Sequence, residues 1–222
     1  MSQIFRAIDD DDLETLRTLV SRAPECLGER NDEGLSPVMK ALYSHRFEAA
    51  KILGAADGEL DVFEAAACGA LERVRTLCDA DPERVRSHAK DGMTPLHLAC
   101  YFRQLDVARA LLERGADPNA EAANPSRIRP LHAAAASRDA ALVELVISFG
   151  PDLDAAQHGG WTALHAAAKH GDVGMARALV AAGADPAAAA DGGERPLDLL
   201  PEDLGAGGAE LRTLLDPGPP RA

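Results

Sequence analysis

Short apolar stripes with a helical period recur in pairs along the chain, and the pair between positions 90 and 120 is the most regular. Thr94 is a residue type that caps helices, and Pro95 follows it at the first helical position, where a missing N–H costs nothing. Small apolar residues fill 96–100, and 105–112 shows the 3.6-residue stripe of a buried helix face. The pattern predicts a helix–turn–helix unit that is too small to bury its own apolar face.

This unit is repeated along the chain. The leucines that open the first helix of each later unit are Leu96, Leu131, Leu164 and Leu197, at spacings of 35, 33 and 33 residues. Three of these units end in related tails, GADPNA, GPDLDA and GADPAA. A period near 33 residues indicates a stack of helical units in which each unit covers the apolar face of its neighbour.

The segments TPLHLAC, LLERGADPNA and TALHAAAKHGDVGMARALVAAGADP resemble the ankyrin-repeat family over most of a repeat. The resemblance is strong over 90–191 and weaker towards both ends of the chain. It implies an all-α solenoid of six to seven helix–turn–helix units joined by short β-hairpin-like connections. The composition, rich in Ala, Arg, Asp and Gly, resembles that of a stand-alone bacterial member of the family.

The repeat divides the chain into one predicted domain over 1–215 and a predicted disordered tail over 216–222. The residues that open the second helix of each unit set the register. They are Leu13, Phe47, Leu71, Leu105, Ala140 and Val173. The predicted units are 2–30, 31–57, 59–89, 90–122, 124–157 and 158–191, followed by a degenerate C-terminal cap over 192–215.

Two irregularities interrupt the repeat. The interval from Phe47 to Leu71 is only 24 residues, which predicts a tight turn around Asp57-Gly58 and a local change in stacking. Near 124–126 the sequence has two extra residues, which predicts a longer hairpin tip.

Composition and charge limit the classes of partner. The net charge is −13, with 36 acidic and 23 basic side chains, which argues against nucleic acid and anionic membrane surfaces as partners. No apolar run is long enough for a signal peptide or a membrane span. We therefore expect a cytoplasmic protein with reduced thiols, and monomer and weak homo-oligomer both remain open.

Histidine and cysteine are the candidates for metal or redox chemistry. The cysteines Cys26, Cys68, Cys78 and Cys100 lie in apolar helical surroundings without a C-x-x-C pair, so we expect buried small hydrophobes. The repeated histidines lie one per layer, about 10 Å apart at ordinary helix spacing, which is too far for one metal ion. The resemblance instead implies structural roles for Thr94, Pro95, His97, His132, Thr162 and His165. We predict no catalytic residue, metal or cofactor.

The four consecutive aspartates at 9–12 fill the predicted turn between the first two helices. We expect them to cap the second helix and to favour its positive end. The alternative is a cation site or a contact for a basic partner, although consecutive carboxylates repel and lack the spacing of a calcium loop.

In the family, hairpin tips and the ends of first helices form a concave groove. Carried over to this sequence, the predicted partner-binding residues are Tyr43, Met93, Tyr101, Phe102, Ile128, Trp161, Lys169 and His170. They include four of the eight aromatic residues and the single tryptophan. Large rings on a rim are typical of binding hot spots, although rings can also fill gaps between adjacent layers.

The resemblance implies a non-catalytic scaffold that binds a partner protein through this groove. We expect a partner with apolar anchors and some basic charge, since acidic residues lie towards the N-terminal end. An inhibitor or immunity-like protein that neutralises a basic enzyme or toxin is the alternative. A remote alternative is an enzyme or metal-binding protein that uses His158, His170 or a cysteine.

Overall fold

The computed structural model describes residues 2–56 and 60–216, and that part of the chain is built from paired α-helices without a β-strand. The predicted all-α fold class is confirmed. The observed second helices start at the residues that set the sequence register, which are Leu13, Phe47, Leu71, Leu105, Ala140 and Val173. The tight turn expected around Asp57-Gly58 and the tail over 217–222 lie outside the described residues.

Contacts divide the chain into two compact units, residues 1–85 and 86–222. The prediction of one continuous domain over 1–215 stays a prediction. The first unit holds three helix pairs: α1 (Gln3–Asp9) and α2 (Leu13–Arg22), α3 (Pro37–Tyr43) and α4 (Phe47–Gly54), and α5 (Val62–Cys68) and α6 (Leu71–Ala80). Its largest fully buried side chains are Ile4, Ile8, Leu16 and Leu53.

The second unit contains three further pairs and a cap. The pairs are α7 (Pro95–Tyr101) and α8 (Leu105–Glu113), α9 (Pro130–Ser137) and α10 (Ala140–Ser148), and α11 (Ala163–Lys169) and α12 (Val173–Ala182). In the cap, the 3₁₀ helices Pro196–Leu199 and Gly205–Gly207 precede α13 (Gly208–Leu215). First helices pack on first helices, with α9 between α7 and α11, so one continuous core runs through the unit.

Local chemistry fixes where the helices begin. The Thr94 side chain accepts a hydrogen bond from the backbone of His97 and caps α7, with Pro95 next in the chain. The carboxylates of Asp139 and Asp172 accept bonds from the first turns of α10 and α12. These caps satisfy backbone donors that a helix of two turns would otherwise leave exposed.

The turn within each helix pair uses one left-handed residue at an equivalent position. These residues are Asp11, His45, Gly69, Arg103, Arg138 and Gly171, with positive φ angles of 56°, 57°, 83°, 61°, 58° and 65°. The backbone conformation therefore repeats where the side chain does not, and this edge of each pair is free to carry different chemistry.

The connections between pairs in the second unit are short hairpins. The amide of Gln157 donates to the carbonyl of Trp161 at 2.9 Å, four residues ahead, whereas Ala122 reaches Ile128, six residues ahead, at 2.8 Å. The two extra residues near 124–126 therefore lengthen the hairpin tip as predicted. Successive tips also hydrogen bond to one another, as when Asp191 N donates to the Gly159 carbonyl at 3.0 Å.

Within the described ranges, no helix has the length and apolar character needed to cross a membrane.

Candidate protein-interaction surface

The three repeated histidines link neighbouring hairpins in the second unit. In His97, Nδ1 accepts from the Thr94 amide at 3.2 Å, and Nε2 lies 3.0 Å from the carbonyl of Ile128. His165 makes the same pair of bonds, to the Thr162 amide at 3.1 Å and to the carbonyl of Glu194 at 3.1 Å. Each ring therefore ties the start of its own helix to the base of the next hairpin.

His132 repeats this arrangement with a different cap. Its Nδ1 accepts from the Arg129 amide at 3.0 Å, and its Nε2 lies 3.0 Å from the Ala155 carbonyl and 3.2 Å from the Trp161 carbonyl. A ring that accepts at Nδ1 and donates at Nε2 is neutral, since a second proton would face an N–H donor. The geometry thus requires uncharged imidazoles.

Burial acts on these rings in the same direction. Desolvation lowers the pKa of His97 and of His132 to about 4, and it also lowers the pKa of His165. The part of the chain that the structure describes brings no three His, Cys, Asp or Glu side chains together in an arrangement that could hold a metal ion. The contacts of these three histidines are therefore those of structural residues.

The four cysteines differ little in burial. Cys26, Cys78 and Cys100 are buried, and Cys68 is half-buried. Burial raises the pKa of Cys68 and raises that of Cys100 to about 12, so neither is an activated thiolate at neutral pH.

The acidic run at 9–12 is occupied by contacts inside the first unit. The Asp12 side chain accepts from the Thr15 amide at 3.0 Å, which is the expected cap of α2. Lys40 Nζ lies 3.2 Å from Asp9, and the guanidinium of Arg46 lies 3.7 Å from Asp11. Three of the four carboxylates thus have partners within the fold, which favours the capping interpretation over a cation site.

Two open cavities have polar walls. One, of about 410 Å³, lies among Arg127, Arg129 and the hairpin 154–160, and one of about 370 Å³ lies beside Phe5, Asn31 and Lys40 in the first unit. Arg127 pairs with Glu121 at 2.9 Å, and Arg129 pairs with Asp152 at 3.4 Å. The charges around the larger cavity are therefore largely balanced internally.

Most of the predicted partner-binding residues lie in the second unit, on the hairpins and the ends of the first helices. Met93, Ile128 and Trp161 occupy equivalent positions three residues before the helix-opening leucines, and all three are half-buried. Since α7, α9 and α11 pack in sequence, these apolar side chains form a row along consecutive layers.

The aromatic residues at the end of α7 stand out from an otherwise buried helix. Tyr101 is 44% exposed, and its ring meets that of Phe102 edge-on, with centroids 5.1 Å apart. The preceding helix residues from Pro95 to Cys100 are buried. Tyr43, 37% exposed, holds the equivalent position in α3 of the first unit.

Trp161 and Lys169 form a contact of their own. The ammonium of Lys169 lies 5.1 Å from the centroid of the Trp161 ring, within cation–π range. The Trp161 ring also lies near the ring of His165, and the two ring centroids are 5.7 Å apart. His170, the C-cap of α11, is exposed beside them. We call Met93, Tyr101, Phe102, Ile128, Trp161, Lys169 and His170 the groove surface.

Sequence reasoning missed two exposed phenylalanines. Phe47 is 54% exposed at the start of α4 and packs edge-on against His45, with centroids 5.8 Å apart. Phe149, at the end of α10, is 39% exposed. Phe47 opens a second helix, and the residues at equivalent positions, such as Leu105, are half-buried, so this position lies at the margin of the core.

Comparison with known proteins gives a family match over most of the chain. The family described as ankyrin repeats (3 copies) matches residues 4–122 and 120–190. The chain is also similar to alpha-latrocrustotoxin-Lt1a of Latrodectus tredecimguttatus, with 30% identity over 49% of this chain and 8% of the toxin.

Two further relatives show a similar degree of likeness. One is the serine/threonine-protein kinase VIK of Arabidopsis thaliana, with 39% identity over 35% of this chain and 17% of the kinase. The other is Rabankyrin-5 of Homo sapiens, with 33% identity over 36% of this chain and 7% of that protein. The chain thus matches less than a fifth of the length of each of these curated relatives, and the likeness concerns the repeats rather than the whole relatives.

Proposed function

The chain belongs to the ankyrin-repeat family, and from that premise we propose that it binds a partner protein through the groove surface without catalysing a reaction. Ankyrin repeats are in general protein–protein interaction modules. The observation that carries the proposal is the exposure of Tyr101, whose ring stands 44% exposed at the end of a buried helix, in the same unit as Trp161.

The contacts of the groove surface suit recognition of an extended segment. Large rings bury much area on binding at a small cost in side-chain entropy, and partly exposed ones gain most from a partner. Met93, Ile128 and Trp161 repeat along successive layers, so a segment that crosses the layers meets one apolar side chain in each. Tyr43 offers the equivalent ring in the first unit, where the exposed carboxylates of Asp32 and Glu33 suit a basic partner group.

Replacing both rings, Trp161→Ala with Tyr101→Ala, is expected to weaken partner binding by at least about 100-fold, since two hot-spot rings each contribute on the order of 2 kcal/mol. Capture from a native cell lysate with tagged protein, followed by titration of the captured partner, measures the loss. Circular dichroism verifies that the double variant is folded.

The matched control is Phe149→Ala, which removes an exposed ring of the same unit outside the groove surface. A partner retained equally by wild type and by the double variant but lost by Phe149→Ala would place binding on another face. Repeating the capture at high salt separates apolar docking from an electrostatic inhibitor-like interaction, because exposed charge pairs are screened by salt.

The proposal extends to a cytoplasmic location, and the thiols of Cys26, Cys68 and Cys100, which form no disulfide, support it.

A further inference from the structure

Two cationic side chains, Arg138 and Lys169, lie with His170 at the edge of the groove surface. Arg138 follows α9 at the left-handed turn position, and Lys169 and His170 end α11, which packs directly against α9. All three are exposed. Burial lowers the pKa of His170, the charges of Arg138 and Lys169 lower it further, and the charge of Asp172 acts in the opposite direction. A lowered pKa leaves the His170 imidazole neutral at neutral pH. We therefore call Arg138 and Lys169 alone the cationic edge.

The cationic edge makes no ion pair with another described residue. None of the ion pairs between residues that the structure describes includes Arg138 or Lys169, although Arg103 nearby pairs with Asp139 at 3.4 Å. The two closest acidic groups in sequence cap helices: Asp139 accepts from Ala141 and Leu142, and Asp172 accepts from Met175 at 2.9 Å. Both carboxylates therefore accept from backbone amides, and neither lies in an ion pair with Arg138 or Lys169.

Acidic side chains outnumber basic ones by 36 to 23, so carboxylates are abundant. Grouping like charges without a counter-ion costs free energy, which an anionic ligand recovers when it binds. The cationic edge therefore favours an anionic group from outside the chain.

A small exposed side chain adjoins the cationic edge. Tyr101, Ala136 and Lys169 hold equivalent positions, five residues after the helix-opening leucines of three consecutive first helices. The middle one is an exposed alanine, so a small side chain lies between a tyrosine ring and the lysine that covers Trp161. A large apolar side chain placed over Ala136 would have ring contacts within the same unit and cations beside it.

We propose that the second unit recognises an acidic peptide segment in which carboxylates flank a large apolar or aromatic side chain. The apolar side chain lies over Ala136 near Tyr101 and Trp161, and the carboxylates pair with Arg138 and Lys169. This inference rests on the proposed function and gives the partner of the same surface a chemical class. It differs from the basic charge expected from the sequence, which concerns the N-terminal end of the chain.

The probe is a library of random 12-residue peptides displayed on phage and selected on the full-length protein. We expect the selected peptides to be enriched in Asp and Glu next to Phe, Trp, Leu or Ile. Their consensus, synthesised with a fluorophore, is expected to bind more weakly as salt rises.

Two charge-reversal variants test the location. Arg138→Glu with Lys169→Glu is expected to weaken the consensus peptide at least about tenfold, since each reversal replaces an attraction by a repulsion. Arg109→Glu with Arg212→Glu is the matched control, because it changes the net charge equally at two exposed arginines of the same unit. The affinity of this control variant for the consensus peptide is expected to stay within about twofold of that of wild type.

The outcomes separate the inference from the proposed function. Selected peptides rich in Lys and Arg, or an acidic consensus unaffected by reversal at 138 and 169, would overturn the acidic-segment inference. If such peptides still lose binding on Trp161→Ala with Tyr101→Ala, the groove function stands. Failure to select any peptide that depends on these two rings would count against both.

Discussion

Lowering the pH from 7 to 4 is expected to remove roughly 6 kcal/mol from the stability of the second unit through two histidines alone. His97 and His132 have pKa values of about 4 in the folded chain, against about 6.5 in an unfolded one. Between pH 4 and pH 6.5 the unfolded chain binds more protons than the folded chain. The contribution of the two rings to stability is therefore fully present above pH 6.5 and is lost as the pH falls through 4. Each ring contributes roughly 3 kcal/mol.

The physical cause is the direction of two hydrogen bonds. Protonation at Nδ1 of His97 would set a new donor against the Thr94 amide, which already donates there at 3.2 Å. The ring would then release the cap of α7 while still carrying a buried charge. Both effects act at the seam between neighbouring hairpins, so we expect the unit to open between layers first.

Urea unfolding followed by Trp161 fluorescence measures this loss, because the single tryptophan lies in the second unit. The midpoint of unfolding is compared at pH 7, 6, 5 and 4. His97→Gln is the control, since it keeps a donor towards the Ile128 carbonyl but does not titrate. As the pH falls, the free energy of unfolding of His97→Gln should decrease less steeply than that of wild type. The two slopes should differ by the contribution of one proton, about 1.4 kcal/mol per pH unit. Equal slopes of stability against pH for wild type and His97→Gln would show that His97 does not cause the loss.

Gly160→Ala is expected to destabilise the second unit by about 3 kcal/mol or more, combining a left-handed backbone with a steric clash. Gly160 has a φ of +78°, and an added Cβ would lie 2.5 Å from the Asp191 amide nitrogen. The clash exists because the tip of this hairpin presses on the next, where Asp191 N donates to the Gly159 carbonyl at 3.0 Å.

Gly193→Ala is the matched control for that substitution. It holds the equivalent position in the following hairpin with a φ of +90°, but no atom lies within 4 Å of an added Cβ. The cost should therefore be the backbone term alone, about 1 kcal/mol. Equal urea midpoints for the two variants would show that hairpin stacking contributes nothing at Gly160.

The helical pattern predicted much of the fold because each helix pair repeats the same local signals. Capping residues such as Thr94, Asp139 and Asp172 and the apolar stripe recur between 90 and 191, so local preference and tertiary packing favour the same structure there. The division between Val85 and Arg86 has no such signal, since it depends on how many contacts cross between neighbours.

The candidate surface was harder to predict for a related reason. Repeat position indicated that Tyr101 and Trp161 lie outside the buried stripe, but the contact of Lys169 with Trp161 depends on three-dimensional placement. The cationic edge escaped the sequence because Arg138 and Lys169 are 31 residues apart and the net charge of −13 hides a local excess of cations. Net charge describes the whole molecule, whereas recognition depends on the few charges near a partner.

The most direct test of the central claim is site-specific photo-crosslinking in native lysate. A benzoylphenylalanine residue replaces Tyr101 in one protein and Phe149 in another, so each probe substitutes for an exposed ring. The account predicts a discrete partner adduct from position 101, reduced by Trp161→Ala, and none from position 149. An adduct from position 149 alone, or an adduct at 101 that is indifferent to Trp161, would contradict recognition through the groove surface.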